Sequence, residues 1–160
     1  MTHNYSFGED NPQDMPRHLF PGVKHLDYSS AIRADTARQN CSICPRYWYV
    51  DAYILCARCR SEFCFSAQEQ RAWFEEHGFW IDSFARHCLG CRADLRSLKT
   101  IRKKYDALVR ETMRGKDISA KRELADIIDQ LYELGGTLPP RINENRRKLA
   151  LVLEQDADSI

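Results

Sequence analysis

Cys56-Ala57-Arg58-Cys59 and Cys88-Leu89-Gly90-Cys91 are two C-x2-C pairs with twenty-eight residues between them, and the second pair runs directly into a helical sequence. One such turn brings two thiolates to a common point, and two turns supply the four ligands of a zinc tetrahedron. With every position filled by protein, no coordination site is left for water or substrate. The spacing therefore predicts a structural metal rather than a catalytic one. A helix starting near Cys91 adds a favourable N-terminal dipole for thiolate charge, and its backbone N–H groups can donate to sulfur.

The segment between the pairs predicts the rest of the module. Tyr47 to Leu55 reads as a strand and Glu62 to Phe65 as a short second strand. Ser66-Ala67-Gln68-Glu69 is a capping box that opens a helix through about Glu76, and Gly78 ends it. Residues 41 to 91 hold eleven of the seventeen aromatic side chains, which marks them as the core of a unit too small to bury much aliphatic surface. A zinc knuckle, a hairpin and a final cysteine pair on a helix are the parts of a treble clef. The expected fold class is α+β, small and zinc-supported: a treble-clef-like module of short β-hairpin plus helix, followed by an all-helical C-terminal hairpin or three-helix segment.

After Cys91, Leu95, Leu98, Ile101, Tyr105, Leu108 and Val109 recur at helical spacing and predict a long helix ending near Gly115. Asp117 or Ser119 can cap a second helix, striped by Leu124, Ile127, Ile128, Leu131 and Leu134 and stopped by Gly135-Gly136. Pro139-Pro140 enforces a turn, and a third helix from about Arg141 or Asn143 brings Leu149, Val152 and Leu153 to one side. The expected organisation is an extended, partly disordered arm over 1–40, a zinc module over 41–96, a helical region over 92–155 and a frayed tail over 156–160. Within the arm, His18, Leu19, Phe20, His25, Leu26 and Tyr28 are candidate anchors, but Pro12, Pro16 and Pro21 and weak periodicity favour an unanchored segment.

A third pair, Cys41-Ser42-Ile43-Cys44, complicates the metal assignment, since a ribbon of Cys41, Cys44, Cys56 and Cys59 also has acceptable spacing. Cys88 and Cys91 are preferred as partners of Cys56 and Cys59, because a pair at a helix start would otherwise stand idle. Cys41, Cys44 and Cys64 with His77 or His87 form the alternative expectation of a second Cys3His zinc site. Cys64, between Phe63 and Phe65, reads more simply as a small buried residue. His87 lacks the companions a metal-dependent nuclease needs, no cysteine has a clear histidine and carboxylate partner set, and Gly-rich phosphate loops are absent. The reading is of a protein that is not an enzyme and has no evident small-molecule substrate.

Tyr49-Val50-Asp51, the first cysteine knuckle, Glu62-Phe63, Phe65-Ser66-Ala67, Glu69-Gln70, Trp73-Phe74-Glu75-Glu76, Gly78-Phe79 and Cys88-Leu89-Gly90-Cys91-Arg92 together follow a known arrangement. It resembles a bacterial family described as a probable zinc-ribbon or treble-clef domain, over about residues 47 to 96. The resemblance implies that Cys56, Cys59, Cys88 and Cys91 bind zinc, and it implies no established reaction. The chain departs from the pattern in Arg60, where such knuckles often carry glycine, in Cys41 and Cys44, and in its long helical tail.

The net charge of +1 gives no global attraction to nucleic acid or membrane, yet it is unevenly distributed. Residues 92 to 116 carry nine Lys or Arg against three Asp or Glu, while residues 117 to 140 carry two against five. Arg92, Arg96, Lys99, Arg102, Lys103, Lys104 and Arg110 are thus candidate phosphate contacts on a helix that binds RNA or DNA. The competing expectations are an adaptor or self-associating protein that uses its C-terminal helices, and a thiol-redox or zinc sensor. No window approaches a membrane span, the first twenty residues contain no basic stretch followed by an apolar run, and cysteines arranged for metal suit a reducing, cytoplasmic setting.

Overall fold

The computed structural model describes residues 7–41 and 44–158. The chain divides into two compact units, with the boundary between Cys91 and Arg92.

The first unit is built on a three-stranded antiparallel sheet in the order β1 (Val23–Arg33), β2 (Trp48–Leu55), β3 (Glu62–Phe65). In β2, Val50, Ala52 and Ile54 are buried on one face and pack with Leu26, Phe65 and Phe20. Tyr49 belongs to a second cluster with Ala67, Phe74 and Ile81. Rings carry much of this packing: Phe65 meets Trp73 and Phe84 edge to face at centroid distances of 4.8 and 5.0 Å. The capping box behaves as its residues predict. Ser66 accepts from the Glu69 N–H at 3.1 Å and opens α1 (Ala67–Arg71), which continues as one π-helical turn over Ala72–Glu76.

The expectation of an extended, partly disordered arm over residues 1–40 is corrected for the described part. Val23–Arg33 is the long edge strand of the sheet, with Phe20, Val23 and Leu26 in the core. Its alternation is hidden because register breaks separate Val23 from His25 and Asp27 from Ile32. Across the wider break, Ser30 replaces a ladder partner, its hydroxyl accepting from the Asp51 N–H at 2.7 Å. Upstream, Trp48 Nε1 and Arg33 both donate to the Glu9 carbonyl. Gly8 has φ of 77°, and a Cβ there would fall 2.7 Å from Met15 Cγ, so only glycine fits against the buried Met15.

The second unit contains α2 (Leu89–Arg114, whose first turn belongs to the first unit), α3 (Ile118–Gly135) and α4 (Pro140–Ala157). Asp117 caps α3 by accepting from Ser119 and Ala120, and Gly136, at φ of 72°, closes its other end. Tyr105, Leu124, Ile127, Ile128, Leu131, Ile142 and Leu149 form the core, joined by partly buried Leu98, Ile101, Leu108 and Val109. Two polar side chains reinforce it. Buried Lys121 donates through Nζ to the Thr112 and Gly115 carbonyls at 2.9 and 2.6 Å, satisfying the C-terminal end of α2. Asn145 donates to the Tyr105 hydroxyl at 2.7 Å. The helix runs through Ala157, so fraying is not seen at 156 and 157; residues 159 and 160 of the expected tail lie outside the described residues.

Candidate metal centre

The turn after β2 presents the first ligand pair. Cys56 N–H donates to the Ser61 carbonyl at 2.9 Å and Arg60 N–H to the Cys56 carbonyl at 3.0 Å, which folds residues 56–61 into a tight knuckle. Closing it puts Arg60 at φ of 64°, the left-handed conformation that glycine would adopt without steric cost. A 2.9 Å bond from Ala57 N–H to the Arg86 carbonyl then places the knuckle beside the segment that delivers Cys88. Cys88 precedes α2 and Cys91 lies in its first turn, so the second pair is held by the helix start.

The Sγ atoms of Cys56, Cys59, Cys88 and Cys91 all lie within 4.8 Å of one another. A tetrahedron with Zn–S bonds of about 2.3 Å has edges of about 3.8 Å. The Cys59 to Cys88 sulfur distance is 3.8 Å. The donor set therefore fits zinc in both chemistry and spacing. Backbone N–H groups face the sulfurs: Cys88 N–H donates to Cys56 Sγ at 3.4 Å and Cys91 N–H to Cys88 Sγ at 3.5 Å.

These contacts divide the thiols. Burial pushes Cys56 up, but the backbone N–H groups of Cys59, Cys88 and Arg58 outweigh it and bring its pKa down to about 5. Ser61 lowers the pKa of Cys59, with the Ser61 oxygen 2.8 Å from Cys59 Sγ. Cys91 is pushed up to about 12, first by burial and then by its neighbours' sulfurs. A bound dication reverses that last effect by stabilising every thiolate at once. Cys56 and Cys91 are buried, Cys88 is half-buried and Cys59 is exposed, so one edge of the centre meets solvent.

The alternative of a second zinc site is not assembled among the described residues. Among the described residues, the four cysteines above are the one group of three or more His, Cys, Asp or Glu side chains close enough to hold a metal. Cys41 packs against the Tyr49, Ala67, Phe74 and Ile81 cluster, and Cys44 lines a cleft with His18 and Arg46; residues 42 and 43 lie outside the described residues. Cys64 pairs across the sheet with Tyr53, and burial followed by the Asp51 carboxylate raises its pKa, the opposite of what a ligand needs. His77 is exposed beside Phe79, with ring centroids 5.9 Å apart, and His87 is half-buried.

Two supporting residues, Asp51 and Gln70, belong to the motif that carried the resemblance, but their roles emerge only in three dimensions. Asp51 Oδ1 accepts from the Ala67 N–H at 2.7 Å, anchoring the start of α1 to the middle of β2. Buried Gln70 donates through Nε2 to the Val50 and Phe65 carbonyls at 2.6 and 2.7 Å, tying α1 to β2 and β3. The Ser61 contact to Cys59 is not legible in the sequence, because a serine two residues after a cysteine carries no distinctive signal.

The basic candidates follow α2. At about 100° per residue, Arg92, Arg96, Lys99, Lys103 and Arg110 fall on one side, while Arg102 flanks them and Lys104 turns away. Tyr105, Leu98, Ile101, Leu108 and Val109 occupy the opposite side and meet the helical core. Arg92 is half-buried, whereas the other six candidates are exposed. Asp106 interrupts the basic face and holds Arg102 through Nε at 3.1 and 3.3 Å.

No curated protein and no solved structure gives a significant match to the chain. Residues 50–99 match the family described as a probable treble clef domain, and this segment carries the knuckle, hairpin, helix start and four clustered cysteines of a zinc-binding treble clef.

Proposed function

We propose that the zinc centre is a non-enzymatic scaffold and that the protein binds RNA or DNA through the basic face of α2. The observation that carries this reading is the placement of exposed Arg96, Lys99, Lys103 and Arg110 on one side of a helix whose other side is committed to the core. Such a face follows a phosphate backbone without disturbing the fold, and its affinity falls as salt rises. A zinc held by these four thiolates would have no coordination position left for water or substrate. Among the described residues, no helix is long and apolar enough to cross a membrane.

The test is fluorescence anisotropy with labelled single-stranded RNA, single-stranded DNA and duplex DNA across a salt series. The wild-type protein binds at low salt and weakens steeply, by about 0.7 to 0.9 in log–log slope per phosphate contact. The combined variant Arg96→Glu, Lys99→Glu, Lys103→Glu loses binding while keeping its zinc. An absence of binding to every probe at low salt contradicts the reading.

The adaptor reading draws on Leu151 of α4, a large apolar side chain that is 61% exposed. A dimer in light scattering that dissociates in Leu151→Glu favours that alternative.

A further inference from the structure

The C-terminal end of α3 meets the middle of α2 around a cavity of about 330 Å³. Its floor is aliphatic: Leu131 and Ile142 are buried, and Leu98 and Leu138 are partly buried against the same core. Its rim is cationic, supplied by Lys99 and Arg102. Lys99 therefore belongs both to the basic face of α2 and to the mouth of the cavity. We propose that this cavity receives one unpaired nucleobase, so that the protein selects single-stranded nucleic acid over duplex; the inference rests on the nucleic-acid reading of α2.

Three features suit that occupant. The apolar floor can cover a base face, which favours an unpaired base over one held in a duplex stack. Arg102 lines the cavity and is held by two contacts from Nε to Asp106, with its guanidinium 5.6 Å from the Tyr105 ring centroid, so a fixed planar cation lies beside the site where a base can stack. Polar partners for a base edge are at hand in the Thr137 hydroxyl and in the backbone around Gly135, where a helix end leaves carbonyls outside the helical ladder. The adjacent phosphate would rest on Lys99, continuing the charge of Lys103 and Arg96 along the helix. An inserted base and a bound backbone are then one contact surface.

Gly135 allows the cavity to be filled without touching that charge. It ends α3 without a positive φ, and an added Cβ would meet only Leu98 Cδ2, at an ordinary 3.6 Å. Gly135→Met extends a side chain into the cavity, and Gly135→Ala adds the Cβ alone as a control for the backbone. Anisotropy is measured with a labelled single strand of mixed sequence and with a hairpin duplex, together with zinc content and melting temperature for each variant.

The expected result is tighter binding of the single strand by the wild type, a loss of roughly tenfold for that strand in Gly135→Met, and unchanged duplex binding. Gly135→Ala keeps the wild-type preference. Equal single-strand affinity in Gly135→Met and wild type overturns the inference while leaving the phosphate-binding reading intact. Failure of wild type to bind either form removes both. Binding of an acidic, leucine-bearing peptide that Gly135→Met abolishes, with no oligonucleotide bound, assigns the cavity to a protein partner and also overturns the inference.

Discussion

The two units of this chain solve the same problem by different means. In the first, a small sheet and a short helix are packed by aromatic rings, and four cysteines converge where the hairpin meets the start of α2. In the second, three helices bury aliphatic stripes against one another, with Leu124 and Ile128 fully buried and Lys121 closing a helix end. A zinc site substitutes coordination for buried surface that a short segment does not possess, whereas long amphipathic helices supply that surface directly. The four cysteines thus lie in the unit that is short of aliphatic core, while the exposed basic charge lies on the outward face of a helix whose other side is packed in the second.

Removing metal should break the contrast most visibly. Structural zinc in small domains contributes on the order of 10–16 kcal/mol in apparent terms, so a strong chelator abolishes the near-ultraviolet dichroism of the aromatic unit while most of the far-ultraviolet helix signal persists. Simultaneous loss of both signals would show that the helical unit depends on the metal. The reciprocal lesion is Leu124→Ala, at a fully buried position. Truncating such a leucine costs about 2–5 kcal/mol. Denaturation should show that loss in the helical transition, with zinc content unchanged.

A smaller effect is expected for Lys121→Met, which leaves the Thr112 and Gly115 carbonyls without their cationic donor. A cost of about 1–3 kcal/mol in the helical transition is expected for unsatisfied groups of this kind, and no cost would show that water replaces the lysine. Arg60→Gly works in the opposite direction. It relieves a left-handed non-glycine residue in the knuckle, at φ of 64°, and should stabilise the zinc unit by up to about 1 kcal/mol. A lower melting temperature would instead give the Arg60 side chain a supporting role.

The sequence made the metal unit legible where chemistry is local. The cysteine spacing, the Ser66 cap, the β3 boundaries and Gly78 each act within a few residues, and each appears where the pattern places it. Asp117 and Gly136 make the limits of α3 readable for the same reason. β1 escapes such a reading because its register breaks destroy strict alternation, and its identity depends on pairing with β2, from Arg33 opposite Trp48 to Val23 opposite Ile54. The Cys41 pair misleads in the converse way. A C-x2-C motif announces ligand chemistry, but convergence on a third and fourth donor is a property of the folded chain. Asp51 and Gln70 bind backbone groups that only the assembled sheet and helix bring within reach.

Metal stoichiometry of purified wild type, Cys88→Ser and Cys41→Ser, measured by elemental mass spectrometry, tests the four-cysteine centre most directly. One zinc per chain is expected in wild type and in Cys41→Ser, with loss of that zinc in Cys88→Ser. Zinc retained in Cys88→Ser but lost in Cys41→Ser would contradict that assignment, and would place the centre on the ribbon of Cys41, Cys44, Cys56 and Cys59.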